Sequence, residues 1–160
     1  TEISNEELDK FKEDSDYGKF YDRTLMWLLL RPRSDWEVRD YLNRKTDDEG
    51  MQKAIYDQLI ERKYIDDQDF AERWVNNRRL LKSVSKLKLR QELLKKRVPN
   101  EIINQALEED ETDETEVLKE LIEKKRRITR YQDDKKLIEY LARQGFRYGD
   151  IKTALEELES

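Results

Sequence analysis

The chain has 160 residues, 44% of them charged and 36% apolar, with a formal net charge of −5. It contains neither Cys nor His, which excludes disulfides and thiolate or imidazole metal sites and removes the commonest general base near neutral pH. Only four Gly and two Pro interrupt a sequence rich in Leu, Glu, Lys and Arg, so an all-helical protein with thin cores and large wetted faces is expected.

Residues 1–16 form an acidic start, with seven acids against two Lys between Glu2 and Asp16, and read as an N-terminal extension. The first residue is Thr1 rather than Met, so a piece of a longer protein is expected; no signal peptide is visible. A first helix is predicted from Asp16 to about Leu30. Arg31-Pro32 stops it, because Pro disfavours helical geometry in the residue before it. The longest apolar run, Leu25 to Leu30, is far too short to cross a bilayer, and a cytoplasmic protein without membrane contact is expected.

Ser34-Asp35-Trp36-Glu37 is a capping box, in which Ser34 and Glu37 each bond the other's backbone N–H, and it opens a second helix to about Lys45. Thr46 to Gly50 reads as a connector. A third helix, near Gln52 to Lys63, carries Ile55, Leu59 and Ile60 on one side. Tyr64-Ile65 closes it, and a cluster of acids follows at Asp66, Asp67 and Asp69. An EF-hand reading fails for want of Gly at the sixth loop position and Glu at the twelfth. The favoured reading is a joint in which Asp66 or Asp67 caps the next helix and the other acids face its positive end. A catalytic carboxylate pair is the alternative.

The fourth helix is predicted to about Leu80, with Phe70, Trp74 and Leu81 inward. Trp27, Trp36 and Trp74 sit among Leu and Phe at helical spacing and are expected in the core. Ser83 or Ser85 opens a fifth helix that ends near Arg97. Val98-Pro99 breaks the chain, and Pro99 suits the first turn of a sixth helix holding Ile102, Ile103, Ala106 and Leu107. Asp113 caps a seventh. An eighth runs from about Asp133 to Gln144 and stops at Gly145, and a ninth holds Ile151, Ala154, Leu155 and Leu158.

The pattern repeats. Leu42, Leu94 and Leu141 align, as do Ile55, Leu107 and Leu155 after them. The division expected is an extension at 1–16 and three-helix repeats at 17–65, 66–111 and 112–160, in a curved tandem array whose neighbours support one another.

Charge is unevenly spread. Between Arg73 and Arg97 stand ten cations, Arg73, Arg78, Arg79, Lys82, Lys86, Lys88, Arg90, Lys95, Lys96 and Arg97, against one acid, Glu92. A second group is Lys124, Lys125, Arg126, Arg127 and Arg130, and Arg31 and Arg33 flank the first break. Helical spacing puts Lys86, Arg90 and Arg97 on one face and Lys88 and Lys95 on another. The plain reading is a solvated face balanced by acidic connectors such as Glu108 to Glu116. The sharper one is an electrostatic contact surface.

The segments RPRSDWEVRDYL, KYIDDQDFAERWV, LRQELLKKRVPNEIINQALEE and YLARQGF resemble the RecX family, regulators of the RecA recombinase. The resemblance covers about Tyr21 to Glu159. It departs from the family where a Gly-aromatic or Gly-aliphatic turn precedes the last helix of a repeat. Gly145-Phe146 keeps that turn, while Arg97-Val98 and Lys45-Thr46 replace it. The resemblance implies a small helical array that is not an enzyme and needs no cofactor or metal. It implies binding to the RecA filament, with possible contact to DNA within it, and suppression of ATP hydrolysis, strand exchange and filament growth. A monomer is expected. The rival is a helical nucleic-acid-binding protein acting on single-stranded DNA, with Asn76-Asn77-Arg78-Arg79 as its only candidate reading element. An enzyme would have to work with carboxylates, Lys or Tyr alone, and no glycine begins a phosphate loop.

Overall fold

The computed structural model describes residues 4–160, with backbone alone at 9–13. Among these residues the chain is all helical: α1 (Asn5–Leu29), α2 (Asp35–Lys45), α3 (Glu49–Glu61), α4 (Asp67–Leu81), α5 (Lys86–Lys95), α6 (Asn100–Glu109), α7 (Glu114–Lys125), a 3-10 turn (Thr129–Gln132), α8 (Asp134–Arg143) and α9 (Tyr148–Glu159). There are two compact bodies, 1–70 and 71–160.

In the first body α2 and α1 each pack on α3. Phe20, Tyr21, Leu28, Val38, Tyr41, Leu42, Ile55, Leu59 and Ile65 form the core. Trp27 is half-buried at its edge and stacks on Tyr41 with ring centroids 4.0 Å apart. In the second body α5 packs on α6, and α9 packs on α7 and α8. Leu137, Leu141, Phe146, Ile151 and Ala154 meet Val117, Leu118, Leu121 and Ile122 in its C-terminal core. Each fully buried Leu or Ile contributes roughly 1.5–3 kcal/mol relative to an exposed one.

The first helix begins at Asn5, not after Asp16. Ser4 and Glu7 form a capping box like that of Ser34 and Glu37. Residues 5–16 of the expected acidic extension are therefore the first turns of α1, where Glu6 and Glu7 complement the positive helix end. Residues 1–3 and the side chains of 9–13 lie outside the described residues. The third helix also starts early, because Asp48 accepts from Met51 N and turns the expected connector into its cap. Pro99 is the N-cap of α6 rather than its first helical residue.

The inward faces of α4 and α5 differ by about one position from the expectation. Leu81 and Leu94 are 78% and 45% exposed, and Leu89 and Leu93 are fully buried. Leu93, not Leu94, is the partner of Leu141: Val98 N bonds Leu93 O as Phe146 N bonds Leu141 O. Both bonds close a helix end on a residue with positive φ, Arg97 at 59° and Gly145 at 97°. In the first repeat the left-handed residue is Lys63, at the end of α3, while Thr46 is extended. Trp36 is 39% exposed and Ile60 41%, so neither belongs to the core.

Candidate interaction surface

At the acidic joint the two adjacent carboxylates serve different helices. Asp66 Oδ1 accepts from Gln68 N at 3.0 Å and from Asp69 N at 3.2 Å, at the start of α4. Asp67 reaches back instead, and its Oδ1 accepts from Asp35 N at 2.8 Å, the first N–H of α2. Burial raises the Asp67 carboxyl above its ordinary value, against the backbone hydrogen bond, and the neighbouring Asp35 and Asp66 add to the rise. Asp67 thus caps the preceding repeat rather than its own helix. Asp35 also binds Arg39 and Tyr56, whose ring lies 4.2 Å from the Arg39 guanidinium carbon.

The remaining caps are local. Ser34 Oγ accepts from Glu37 N at 3.2 Å and Glu37 returns the bond to Ser34 N. Asp113 Oδ1 accepts from Thr115 N at 2.9 Å.

The basic run between Arg73 and Arg97 does not form one surface. Arg78 makes a forked pair with Glu92, Nε to Oε1 at 3.0 Å and Nη2 to Oε2 at 2.8 Å. Arg79 is withdrawn further. Its Nε and Nη2 lie 3.0 and 2.7 Å from Asp110 Oδ2, its Nη1 binds Val84 O, and the two side chains are only 11% and 5% exposed. Burial pushes the Asp110 carboxyl up, but the Arg79 hydrogen bonds and charge and the Thr112 hydroxyl outweigh it and hold the group below its ordinary value. Arg78 and Arg79, expected as contact residues, are both engaged in internal ties. Asn76-Asn77-Arg78-Arg79 loses its cations as a reading element for the same reason.

At α5 the cations are partly engaged. Arg90 Nη1 donates to Asn104 Oδ1 at 2.6 Å and Lys88 Nζ donates to Gln144 Oε1 at 2.7 Å, while Lys86 bonds a Glu114 carboxylate oxygen through its backbone N–H and not its ammonium group. Ser85 is the pivot. Its buried hydroxyl accepts from Lys88 N at 3.0 Å and donates to Gln144 O at 2.9 Å. The positive end of α5 therefore meets the negative end of α8. Arg97 lies past the end of α5 in a left-handed turn, so it cannot continue a helical face with Lys86 and Arg90. A cleft of about 520 Å³ opens beside α5, lined among others by Lys86, Arg90 and Arg147 but equally by Glu108, Glu114 and Asp150, so it offers no net charge to an anion.

Arg73, Lys82, Lys95 and Arg97 are exposed, and Lys82 and Lys95 have no ion-pair partner among the described residues. Lys96 Nζ sits 5.7 Å from the half-buried Trp74 ring. In the second basic group Arg126 is tied to Tyr131 O, Gln132 O and Asp134, and Lys125 lies 4.8 Å from the Tyr140 ring. Lys124, Arg127 and Arg130 remain exposed. Arg33 stacks at 4.2 Å over Trp27, and burial together with Arg31 lowers its affinity for its proton.

Capped three-helix repeats, with cations and aliphatic side chains on their outer faces, make this a helical-repeat protein. Family models described as "RecX, second three-helix domain" and "RecX, third three-helix domain" match residues 66–107 and 111–155. The protein named Regulatory protein RecX of Amycolatopsis mediterranei is 31% identical over 81% of this chain and 77% of its own length. That of Oceanobacillus iheyensis is 30% identical over 99% of this chain, but the match covers 60% of that relative, so this chain spans about three fifths of its length. The crystal structure of RecX from Lactobacillus salivarius superposes with a TM-score of 0.76 at 28% identity, over 91% of this chain and 98% of that one. A crystal structure of regulatory protein RecX at 20% identity gives the same score and shares the fold. The chain belongs to the RecX family of regulatory proteins.

Proposed function

We propose that this chain binds the filament of a RecA-type recombinase and restrains it, lowering its ATP hydrolysis, strand exchange and growth, without catalytic chemistry of its own. Membership in a family of regulatory proteins carries the reading. The contact is assigned to outward, exposed cations, above all Lys82 and Lys95, with Lys124, Arg127 and Arg130 as a second group, the last of these lying 5.8 Å from the Tyr131 ring. Charges of this kind raise encounter rate and fix register more than they raise final affinity. The protein would act as a monomer in the cytoplasm, with its first repeat beginning in α1 and its second and third at 66–111 and 112–160.

The test is co-sedimentation with recombinase filaments on single-stranded DNA, beside anisotropy binding to the same DNA alone. Binding to the filament well above binding to bare DNA at physiological salt supports the proposal. Tight binding to bare DNA with a steep salt slope, and no gain from the filament, would replace it with the nucleic-acid reading.

A further inference from the structure

Within the second body, α5–α6 and α7–α9 meet at a seam with little packing behind it. The closest helix contacts there are α5 on α6 and α9 on α7 and α8, none of them across the seam. Among the described residues the C-terminal core draws on positions 117–154 and on nothing in α5 or α6. Polar bonds join the two sides: Ser85 Oγ to Gln144 O at 2.9 Å, Lys88 Nζ to Gln144 Oε1 at 2.7 Å, and the Lys86 backbone N–H to Glu114. The cleft of about 520 Å³ opens beside this seam. On one wall α5 and α6 present Lys86, Arg90 and Glu108; on the other, α7 and the start of α9 present Glu114, Asp150 and Arg147. The signs are complementary: two cations and an acid face two acids and a cation. Lys86, Arg90, Glu114 and Asp150 are half-buried, where an unpaired charge is unfavourable, yet among the described residues no ion pair joins any of the six.

We infer that this cleft is a hinge that closes on its own charges: rotation about the Ser85–Gln144 seam brings Lys86 and Arg90 to Glu114 and Asp150, and Glu108 to Arg147. Ser85 and Gln144 are the chain neighbours of Lys86 and Gly145, which line the cleft, so the pivot sits at its margin and closure leaves the pivot bonds in place. A ligand is not needed to explain the lining, since each wall carries the counter-charges of the other. The pairs formed on closure are partly withdrawn from water and so are screened less than pairs on an open surface. The angle between the second and third repeats is thus set by charge rather than by a shared core, and it responds to ionic strength. The hinge stands apart from the filament reading.

The experiment measures the distance between two spin labels across the cleft. The chain has no Cys, so Gln105→Cys in α6 and Lys152→Cys in α9, both exposed and outside the cleft lining, take the labels without background. A cleft of 520 Å³ is about 8 Å across, its cube root, and an ion pair closes at about 4 Å, so closure should shorten the label distance by about 4 Å. The short distance should dominate in about 10 mM salt, where the Debye length is about 30 Å, and the long one in about 1 M salt, where it is about 3 Å. Arg90→Glu turns an attraction into a repulsion and should lower the short-distance population at low salt at least about threefold, within what one exposed pair can supply. Adding Asp150→Arg restores opposite charge and should restore the short distance. Glu101→Lys, on α6 but outside the cleft, should respond to salt as the wild type does. A wild-type distance that does not change with salt overturns the inference, and this arm needs no substitution in the cleft. A salt response that Arg90→Glu leaves intact overturns it too, as does a charge swap that melts like wild type yet fails to restore the short distance.

Discussion

Asp66 and Asp67 are adjacent, yet their carboxylates act on different helices and should titrate differently. Asp66→Ala removes the α4 cap and is expected to cost about 0.5–2 kcal/mol, while Asp66→Asn keeps an acceptor and should cost little. Asp67 has its folded affinity for a proton raised above the ordinary value, so its contribution to stability is present at low pH and lost as pH rises through that raised value. Asp67→Asn should therefore hold or raise the melting temperature at pH 7, and a fall of more than about 3 °C would contradict this. Asp110 has the opposite sign. Its folded value lies below the ordinary 3.8, so its contribution is full above that pH and disappears as pH falls through the depressed value. Asp110→Asn strands the Arg79 charge in a site only 11% exposed and should cost about 3 kcal/mol near neutral pH. Melting curves of this variant and the wild type should converge as pH falls below 3.8. Curves that keep a constant separation would assign the pair no electrostatic role. The Arg79–Asp110 tie spans 31 positions, and nothing in local sequence announces it. A run of cations looked free because its partner lies in what reads as an acidic connector.

At the scale of elements, the seam between α5 and α8 depends on a glycine. Gly145 has φ +97°, and a Cβ there would lie 2.5 Å from Ser85 Oγ. Gly145→Ala meets both the left-handed penalty, about 1–2 kcal/mol, and that clash. Ser85→Ala loses a cap and its bond to Gln144, about 0.5–2 kcal/mol. The two losses should not add: without the Ser85 hydroxyl the clash is relieved, so the double variant should be more stable than the sum predicts. Additive losses, read by denaturant titration of the four proteins, would mean that the contact carries no strain. Helix stops were legible wherever one residue type enforces them, as Arg31-Pro32 and Gly145 do. The start of α1 carried the same capping-box signal as α2, but acids beside Ser4 read as an extension when they complement a helix end. The inward face of α5 was not legible to one residue. Leu87, Leu89, Leu93 and Leu94 offer two apolar faces, and only packing against other elements selects Leu89 and Leu93.

At the scale of the whole molecule, the family was legible from short motifs. Which cations stay exposed was not, because charge in sequence does not say which side chains fold inward. Ten cations reduce to a smaller exposed set once Arg78 and Arg79 are tied down. Lys82→Glu with Lys95→Glu should leave the melting temperature nearly unchanged, since exposed charges contribute below about 1 kcal/mol. The same pair should weaken filament binding at least about tenfold, mainly through slower association, and Glu156→Lys with Glu159→Lys should do less. Equal effects of the two pairs would make the cations a solvated face only. The most direct measurement is ATP hydrolysis by the cognate recombinase on single-stranded DNA, titrated with this chain. Hydrolysis that falls in a saturable manner with added protein, and falls less as salt rises, is the predicted result; hydrolysis unchanged at a severalfold molar excess over recombinase would contradict it.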